Sequence, residues 1–192
     1  MVEILQANGG YAMNVFVIFS PGLGGNHLAN MIATDPRYHS RATVEQYKNT
    51  QKYAHHSENK NLNIISTVSN DNNVFCGHFG ELYWFDQTPF ETKQVVIVEV
   101  PKDFDSYACK RWQTFNTYIT PYLVEEQRCL YTPGIIERVC GISDFYTIPA
   151  EKIITEQPPI ELLQNMTYQI DVDKCRLMHS EWIKTNLSLD YK

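Results

Sequence analysis

The chain has 192 residues, of which 43% are hydrophobic and 20% are charged, and its formal net charge is -6. A chain of this length and apolar content can build one ordinary globular domain, and wholesale disorder is not expected. The acidic balance argues against broad nucleic-acid binding, which favours a basic face. The sequence therefore predicts a single domain over residues 1–192 without a nucleic-acid partner.

No apolar run approaches the length of a membrane span, and the start Met1-Val2-Glu3 lacks the basic residues of a secretory signal. The five cysteines contain no CxxC pair, and their spacing resembles no zinc framework. We therefore expect a soluble, cytoplasmic protein with reduced thiols, no membrane span and no metal site.

In the first half of the chain, strand and helix signals alternate. Residues 11–20, YAMNVFVIFS, are rich in β-branched and aromatic residues and predict a buried strand that Pro21-Gly22 ends. Leu28, Met31 and Ile32 then follow helical spacing, and the helix ends at Asp35-Pro36. Weaker signals predict a helix over residues 43–55 and short strands over residues 63–68 and 73–76.

In the second half, the strongest strand signal is QVVIVEV at residues 94–100, a β-branched run typical of a parallel strand covered on both faces. Helices are predicted over residues 103–119, 135–140 and 173–187, and short extended pieces over residues 146–149 and 152–154. This succession of elements predicts an α/β domain with a mostly parallel central sheet.

A glycine-rich turn, Pro21-Gly22-Leu23-Gly24-Gly25, joins the first strand to the first helix. Such a turn leaves backbone N–H groups at the helix N-terminus, where the helix dipole also favours an anion. Asn26 and His27 would add side-chain donors in the first helical turn. The motifs GxxxxGK[ST] and GxGxxG are both absent. From these residues alone, a structural turn and an anion site both remain open.

The turn resembles the phosphosulfate loop of the sulfotransferase family, which typically has the form P-[KR]-S-G-T-T-x-L. The matching segment is PGLGGNHL, in which Pro21, Gly24 and Leu28 are in register and Asn26 replaces the second hydroxyl residue. The resemblance implies a P-loop-type fold in which this loop holds the phosphosulfate group of a donor nucleotide.

Two later segments resemble the same family in the same order. FCGHF at residues 75–79 is similar to a GHF segment that follows a short strand in many members. VVIVEVPKD at residues 95–103, with Ser106 and Tyr107 after it, is similar to the strand, the R-[ND]-P-x-D segment and the helix-borne serine of the family. The C-terminal segment WIKTN, residues 182–186, also resembles the terminal helix of small members.

The resemblance implies a P-loop-type three-layer domain that transfers a sulfuryl group from PAPS (3′-phosphoadenylyl sulfate) to a hydroxyl or amine. The acceptor would be a small molecule or a glycan, and no metal would take part. Residues implied to bind the donor are Gly24, Gly25, Asn26 and His27 at the phosphosulfate and Ser106 and Arg111 at the 3′-phosphate. His78 is implied to be the catalytic base.

Departures from the family pattern keep a second hypothesis open. Gly22 stands where the loop is usually basic, and Glu99 stands where an arginine is usual, so Lys102, Lys110 or Arg111 would have to supply the cation. The alternative is a catalytically inactive sulfotransferase-fold protein that acts as a binding or assembly subunit, with a protein partner or as a homo-oligomer. A nucleotide kinase ranks lower because the phosphate-binding lysine is missing.

Two histidines also have plainer interpretations. His78 fits a hydrogen-bonded core or loop histidine as well as a base, and His27 fits a residue on the helix surface as well as an anion contact.

Overall fold

The structure is a computed structural model that describes residues 14–20, 22–38, 74–78, 93–103, 121–140, 145–155 and 157–187. Their elements in chain order are β1 (Asn14–Phe19), α1 (Gly25–Ile32), β2 (Val74–Gly77), β3 (Lys93–Glu99), α2 (Pro121–Leu130), α3 (Pro133–Cys140), β4 (Phe145–Pro149), α4 (Ala150–Ile153), α5 (Ile160–Asn165) and α6 (Val172–Leu187). The predicted helix over 43–55, the strand over 63–68 and, apart from Asp103, the helix over 103–119 lie outside the described residues.

The four described strands form one parallel sheet in the order β2-β1-β3-β4. β1 lies inside the sheet, where Phe16 is in register with Phe75 of β2 and Val95 of β3. The connection from β2 to β3 therefore passes across β1. Because the strands are parallel, the ends of β1, β2 and β3 lie beside one another at the carboxyl edge. The fold is α/β, as the sequence predicts.

The β-branched run of β3 explains its place within the sheet. Its residues from Val95 to Val98 are all fully buried. Successive side chains of a strand point to opposite faces, so both faces of β3 must be covered. This is the pattern that the sequence predicts for residues 94–100.

Helix α1 lies between the sheet and the C-terminal helix. It contacts β1, β2 and α6, and seven of its eight residues are buried. Leu28, Met31 and Ile32 are fully buried, which agrees with the helical spacing in the sequence. The partly exposed residue of α1 is Asn26, in its first turn.

Asp35, just after α1, ties this helix to the segment before α6. Its buried carboxylate accepts hydrogen bonds from the N–H of Arg37 at 2.9 Å, from the Arg37 guanidinium at 2.6 Å and from the N–H of Gln169 at 2.6 Å. Burial would raise the pKa of the Asp35 carboxyl, but these hydrogen bonds outweigh it and hold the pKa below its ordinary value. Thr34 Oγ1 also accepts a hydrogen bond from the N–H of Asp171 at 3.1 Å.

Three helices differ from the sequence predictions. The prediction of an extended piece over residues 152–154 is wrong, because Ala150–Ile153 forms α4. Ala150, Glu151 and Lys152 are good helix formers, and burial of Ile153 anchors the turn. Helices α2 and α5 were not predicted, although α2 begins at Pro121 and α5 directly follows Pro159, and proline is favoured at the start of helices.

Candidate functional site

The glycine turn lies at the carboxyl edge of the sheet, between β1 and α1. Gly22 has a φ of 85° and Gly24 a φ of 78°, in the left-handed region that glycine adopts without a Cβ clash. Leu23, between them, is fully buried and its N–H donates to the carbonyl of Ser20 at 3.3 Å. The two glycines thus let the chain turn sharply while Leu23 stays in the core.

Close packing behind the turn also requires small residues. A Cβ at Gly25 would lie 2.0 Å from Cγ of the Phe19 ring. A Cβ at Gly24 would lie 3.1 Å from Cγ2 of Ile153 and 3.7 Å from the Trp182 ring. Backbone conformation and packing therefore account for both glycines whether or not a ligand binds.

The first turn of α1 presents backbone donors. The N–H of Leu28 donates to the carbonyl of Gly24 at 3.0 Å. Among the described residues, the N–H groups of Gly24, Gly25 and Asn26 have no hydrogen-bond acceptor. The first turn contains no acidic side chain. These donors and the positive end of the helix dipole suit a bound anion.

Asn26 brings a side-chain amide to the same place. Its Oδ1 accepts a hydrogen bond from the Cys76 thiol of β2, with 3.1 Å between Oδ1 and Sγ. The Nδ2 group, which carries the two donors of the amide, is then directed away from the thiol. Cys76 thus fixes which end of the amide faces β2.

His78 follows β2 and lies beside the end of β1. Its Nδ1 is 2.8 Å from the carbonyl oxygen of Phe19, and its ring meets the Phe19 ring edge-on with 4.7 Å between centroids. A carbonyl oxygen can only accept, so Nδ1 carries the proton and Nε2 carries the lone pair of the neutral ring. A general base that acts through Nε2 requires this tautomer.

The side chain of His27 turns into the core. The residue is 1% exposed, its Nε2 lies 2.8 Å from Nδ1 of His179, and its ring stacks on Trp182 with 4.6 Å between centroids. The interpretation of His27 as a helix-surface residue is therefore wrong. The expected anion contact through its side chain also finds no support, because the ring is held by α6.

The two buried histidines form a short chain of hydrogen bonds. Nε2 of His179 lies 2.7 Å from the carbonyl oxygen of Thr155 and must donate to it. Nδ1 of a neutral His179 then accepts the N–H of His27. Burial lowers the pKa of His179, although the hydrogen bond to Thr155 opposes this. The pair, here called the histidine pair, connects the start of α1 with α6 and the end of α4.

Helix α2 closes the carboxyl edge beside β3. Ser20 Oγ donates to Gln127 Oε1 at 3.0 Å. The Arg128 guanidinium donates to the carbonyl of Pro101 at 3.0 and 2.8 Å, and also to the carbonyl of Lys102. A further hydrogen bond of 3.1 Å joins it to Glu125. Arg128 thus places a positive charge next to the end of β3, with most of its donors already engaged.

The predicted site residues are brought together in part. Gly24, Gly25, Asn26 and His78 lie around the neighbouring ends of β1 and β2. Glu99 is half-buried at the end of β3, and Lys102 is exposed. The predicted residues for the 3′-phosphate, Ser106 and Arg111, and also Lys110, lie outside the described residues.

Three contacts at this edge were missed by sequence reasoning because their partners are far apart in the chain. They are Asn26 with Cys76, 50 positions apart, Ser20 with Gln127, 107 apart, and His27 with His179, 152 apart. His179 had a signal in the sequence. It lies four positions after Cys175 and three before Trp182, on the apolar stripe of the predicted C-terminal helix. Gln127 and Arg128 had none, because α2 itself was not predicted.

Comparisons with family models, with curated proteins and with solved structures find no match to this chain. Within the described part of the chain, no group of three His, Cys, Asp or Glu residues is placed as metal ligands would be. Among the helices that the structure describes, none has the length and apolar character needed to cross a bilayer.

Replacing Gly25 with Ala should strongly destabilise the fold, because the new Cβ would meet the Phe19 ring at 2.0 Å. We expect a loss of about 2 kcal/mol or more in the free energy of unfolding, measured by urea denaturation. Gly134→Ala is the matched control. A Cβ there meets nothing within 4 Å, and alanine in helix α3 should stabilise by up to about 1 kcal/mol. Equal stability of the two variants would contradict the described packing.

The histidine pair predicts a loss of stability on mild acidification. Burial lowers the pKa of His179 in the folded protein below its ordinary value of 6.5. Its contribution to the free energy of unfolding is therefore fully present above pH 6.5 and is lost as the pH falls towards the lower pKa of the folded state. The free energy of unfolding should fall by up to about 1.4 kcal/mol per pH unit in that window. His179→Gln can keep both hydrogen bonds without titrating, so its urea midpoints should depend less on pH. Parallel curves for the two proteins would refute this account.

Proposed function

We propose that this chain is a sulfotransferase-like protein of the P-loop type that binds PAPS at the carboxyl edge of its sheet. It would transfer the sulfuryl group to a hydroxyl or amine of a small-molecule or glycan acceptor. The observation that supports this most is the placement of the glycine turn and His78 side by side. The three segments that resemble the sulfotransferase family lie at the ends of β1, β2 and β3, which are neighbours in the sheet. Ligands of such sheets bind beyond the carboxyl ends of the strands.

The donors of the turn fit the phosphosulfate part of PAPS. The N–H groups of Gly24, Gly25 and Asn26 would hold its oxygens, and Nδ2 of Asn26 would add a further donor. When bound, PAPS supplies an activated sulfuryl group. Packing against Phe19, Ile153 and Trp182 fixes the turn in advance, so little ordering would be needed when an anion binds.

His78 would act on the acceptor. Its Nδ1–H stays bonded to the Phe19 carbonyl, and Nε2 would take the proton of the acceptor hydroxyl as the oxygen–sulfur bond forms. The N–H groups of the turn would offset the negative charge that stays on the phosphate when its bond to sulfur breaks. Ser106 and Arg111 remain the predicted ligands of the 3′-phosphate.

The second candidate is a catalytically inactive binding or assembly subunit of the same fold. Two observations at the end of β3 favour it. Glu99 would repel a nearby phosphate, and the guanidinium of Arg128 is bonded to Pro101, Lys102 and Glu125. A turn that keeps its backbone donors, beside a guanidinium that is already bonded and a carboxylate that repels phosphate, suits a protein that has lost the transfer reaction. Its partner would be another protein or a second copy of the chain.

Calorimetric titration with PAPS and with its product, adenosine 3′,5′-bisphosphate, tests the proposal. We expect micromolar binding of both by the unaltered chain. Asn26→Asp keeps an oxygen for the Cys76 thiol and places an acidic group where the helix dipole tolerates it. Its charge should still weaken binding by about 100-fold or more. Glu99→Gln removes a negative charge and should strengthen binding several-fold.

The outcomes separate the two candidates. Binding together with PAPS consumption that His78→Asn abolishes would support the enzyme. Binding without consumption over an acceptor screen would favour the inactive subunit. No binding of either nucleotide at millimolar concentration, or equal binding by Asn26→Asp, would overturn the proposed anion site.

A further inference from the structure

We propose that His179 is a positioning residue for the glycine turn, acting through His27, and that the histidine pair takes up a proton when an anion occupies the turn. This inference rests on the proposed anion site. It adds a proton-linked connection between that site and the C-terminal helix α6, which the resemblance does not imply.

The connection runs through direct contacts. His27 belongs to the first turn of α1, next to the donors of Gly25 and Asn26. Its ring is held between the Trp182 ring, stacked at 4.6 Å with 5° between the planes, and Nδ1 of His179 at 2.8 Å. Trp182 also lies directly behind Gly24, where a Cβ would come within 3.7 Å of it. Movement of either α6 ring would therefore displace the backbone that presents the N–H groups.

In the absence of an anion, two effects keep the pair neutral. Both histidines are 1% exposed, and burial lowers the pKa of His179. The positive end of the α1 dipole also repels a positive charge on the histidine pair, because His27 lies in the first turn of that helix. Uptake of a proton by the pair alone is therefore unfavourable near neutral pH.

Two other features equip the pair to hold a proton once a negative charge is near. In the neutral pair Nδ1 of His27 takes no part in these two hydrogen bonds, so the added proton goes to that nitrogen. The 2.8 Å contact between His27 Nε2 and His179 Nδ1 can then be donated from either ring, so the two rings share the positive charge without losing the contact. The face of Trp182 lies against His27, and an aromatic face attracts a cation. An anion on the amides of the same helical turn would add direct attraction and raise the pKa of the pair.

Charged side chains on the surrounding elements do not provide the attraction that a bound anion would add to the histidine pair. Helix α1 carries no ionisable side chain other than His27. Those on α4 and on the part of α6 around His179 are Glu151, Lys152, Cys175, Arg176, Glu181 and Lys184. Burial raises the pKa of the Cys175 thiol, which stays neutral. Arg176 pairs with Asp173 and Lys184 with Glu181, so their charges largely cancel.

The test is an NMR titration of the imidazole ring signals of His27 and His179 between about pH 8 and about pH 5, which spans ordinary histidine titration. It compares sodium sulfate with sodium chloride at equal ionic strength. Sulfate keeps its charge throughout, so any change in proton uptake belongs to the protein. We expect sulfate to raise the midpoint of the pair by about one pH unit. The amide signals of Gly24, Gly25 and Asn26 report in the same samples whether sulfate binds.

Two variants separate positioning from mere support of the fold. His179→Gln can accept from His27 and donate to Thr155, and it should keep sulfate affinity at pH 8 while weakening its rise on acidification. His179→Leu removes both hydrogen bonds and should lose several-fold in affinity at every pH. Affinity in His179→Gln that rises on acidification as steeply as in the unaltered chain would overturn the proton linkage, and unchanged affinity in His179→Leu would overturn the positioning role.

Failure of this inference can be told from failure of the proposed function. Sulfate shifts of the turn amides with equal ring midpoints in both salts would overturn the proton linkage alone. No shift of those amides with sulfate or with adenosine 3′,5′-bisphosphate would overturn both.

Discussion

The geometry of the carboxyl edge depends on Phe19, the last residue of β1. Its ring lies so close to Gly25 that no side chain fits there. The same ring meets the ring of His78, and the Phe19 carbonyl accepts the His78 Nδ1–H. One residue therefore sets both the path of the glycine turn and the tautomer of the histidine beside it. The register of β1 with β2 and β3 fixes where Phe19 stands, so the sheet determines the site.

Backbone conformation and packing require the glycines of the turn even when no ligand is bound. A turn held by Phe19, Leu23, Ile153 and Trp182 would keep its shape after losing its ligand. The turn by itself therefore does not distinguish the two proposed functions, transfer of a sulfuryl group and binding without transfer. The distinction lies in the charges around it, above all Glu99 at the end of β3 and Arg128, whose donors are engaged by backbone carbonyls and Glu125.

Local patterns in the sequence were sufficient to predict the strands of the sheet and helix α1. The β-branched run of β3 and the spacing of Leu28, Met31 and Ile32 both predict what the structure contains, because each depends on neighbours in the chain. Contacts across long separations could not be predicted. The core placement of His27 depends on His179, 152 residues away, and the isolated Ile153-Ile154 pair suggests a strand until its burial against the turn is known. The position of the glycine turn between β1 and α1 was therefore predictable, whereas the orientation of the side chains around it was not.

We have proposed that the glycine turn binds the phosphosulfate end of a nucleotide. A crystal structure of the chain with adenosine 3′,5′-bisphosphate tests it most directly. We expect the 5′-phosphate oxygens about 3 Å from the backbone nitrogens of Gly24, Gly25 and Asn26, with Nε2 of His78 facing the open side of the phosphate. A nucleotide bound elsewhere on the chain, with the turn unchanged, would contradict it.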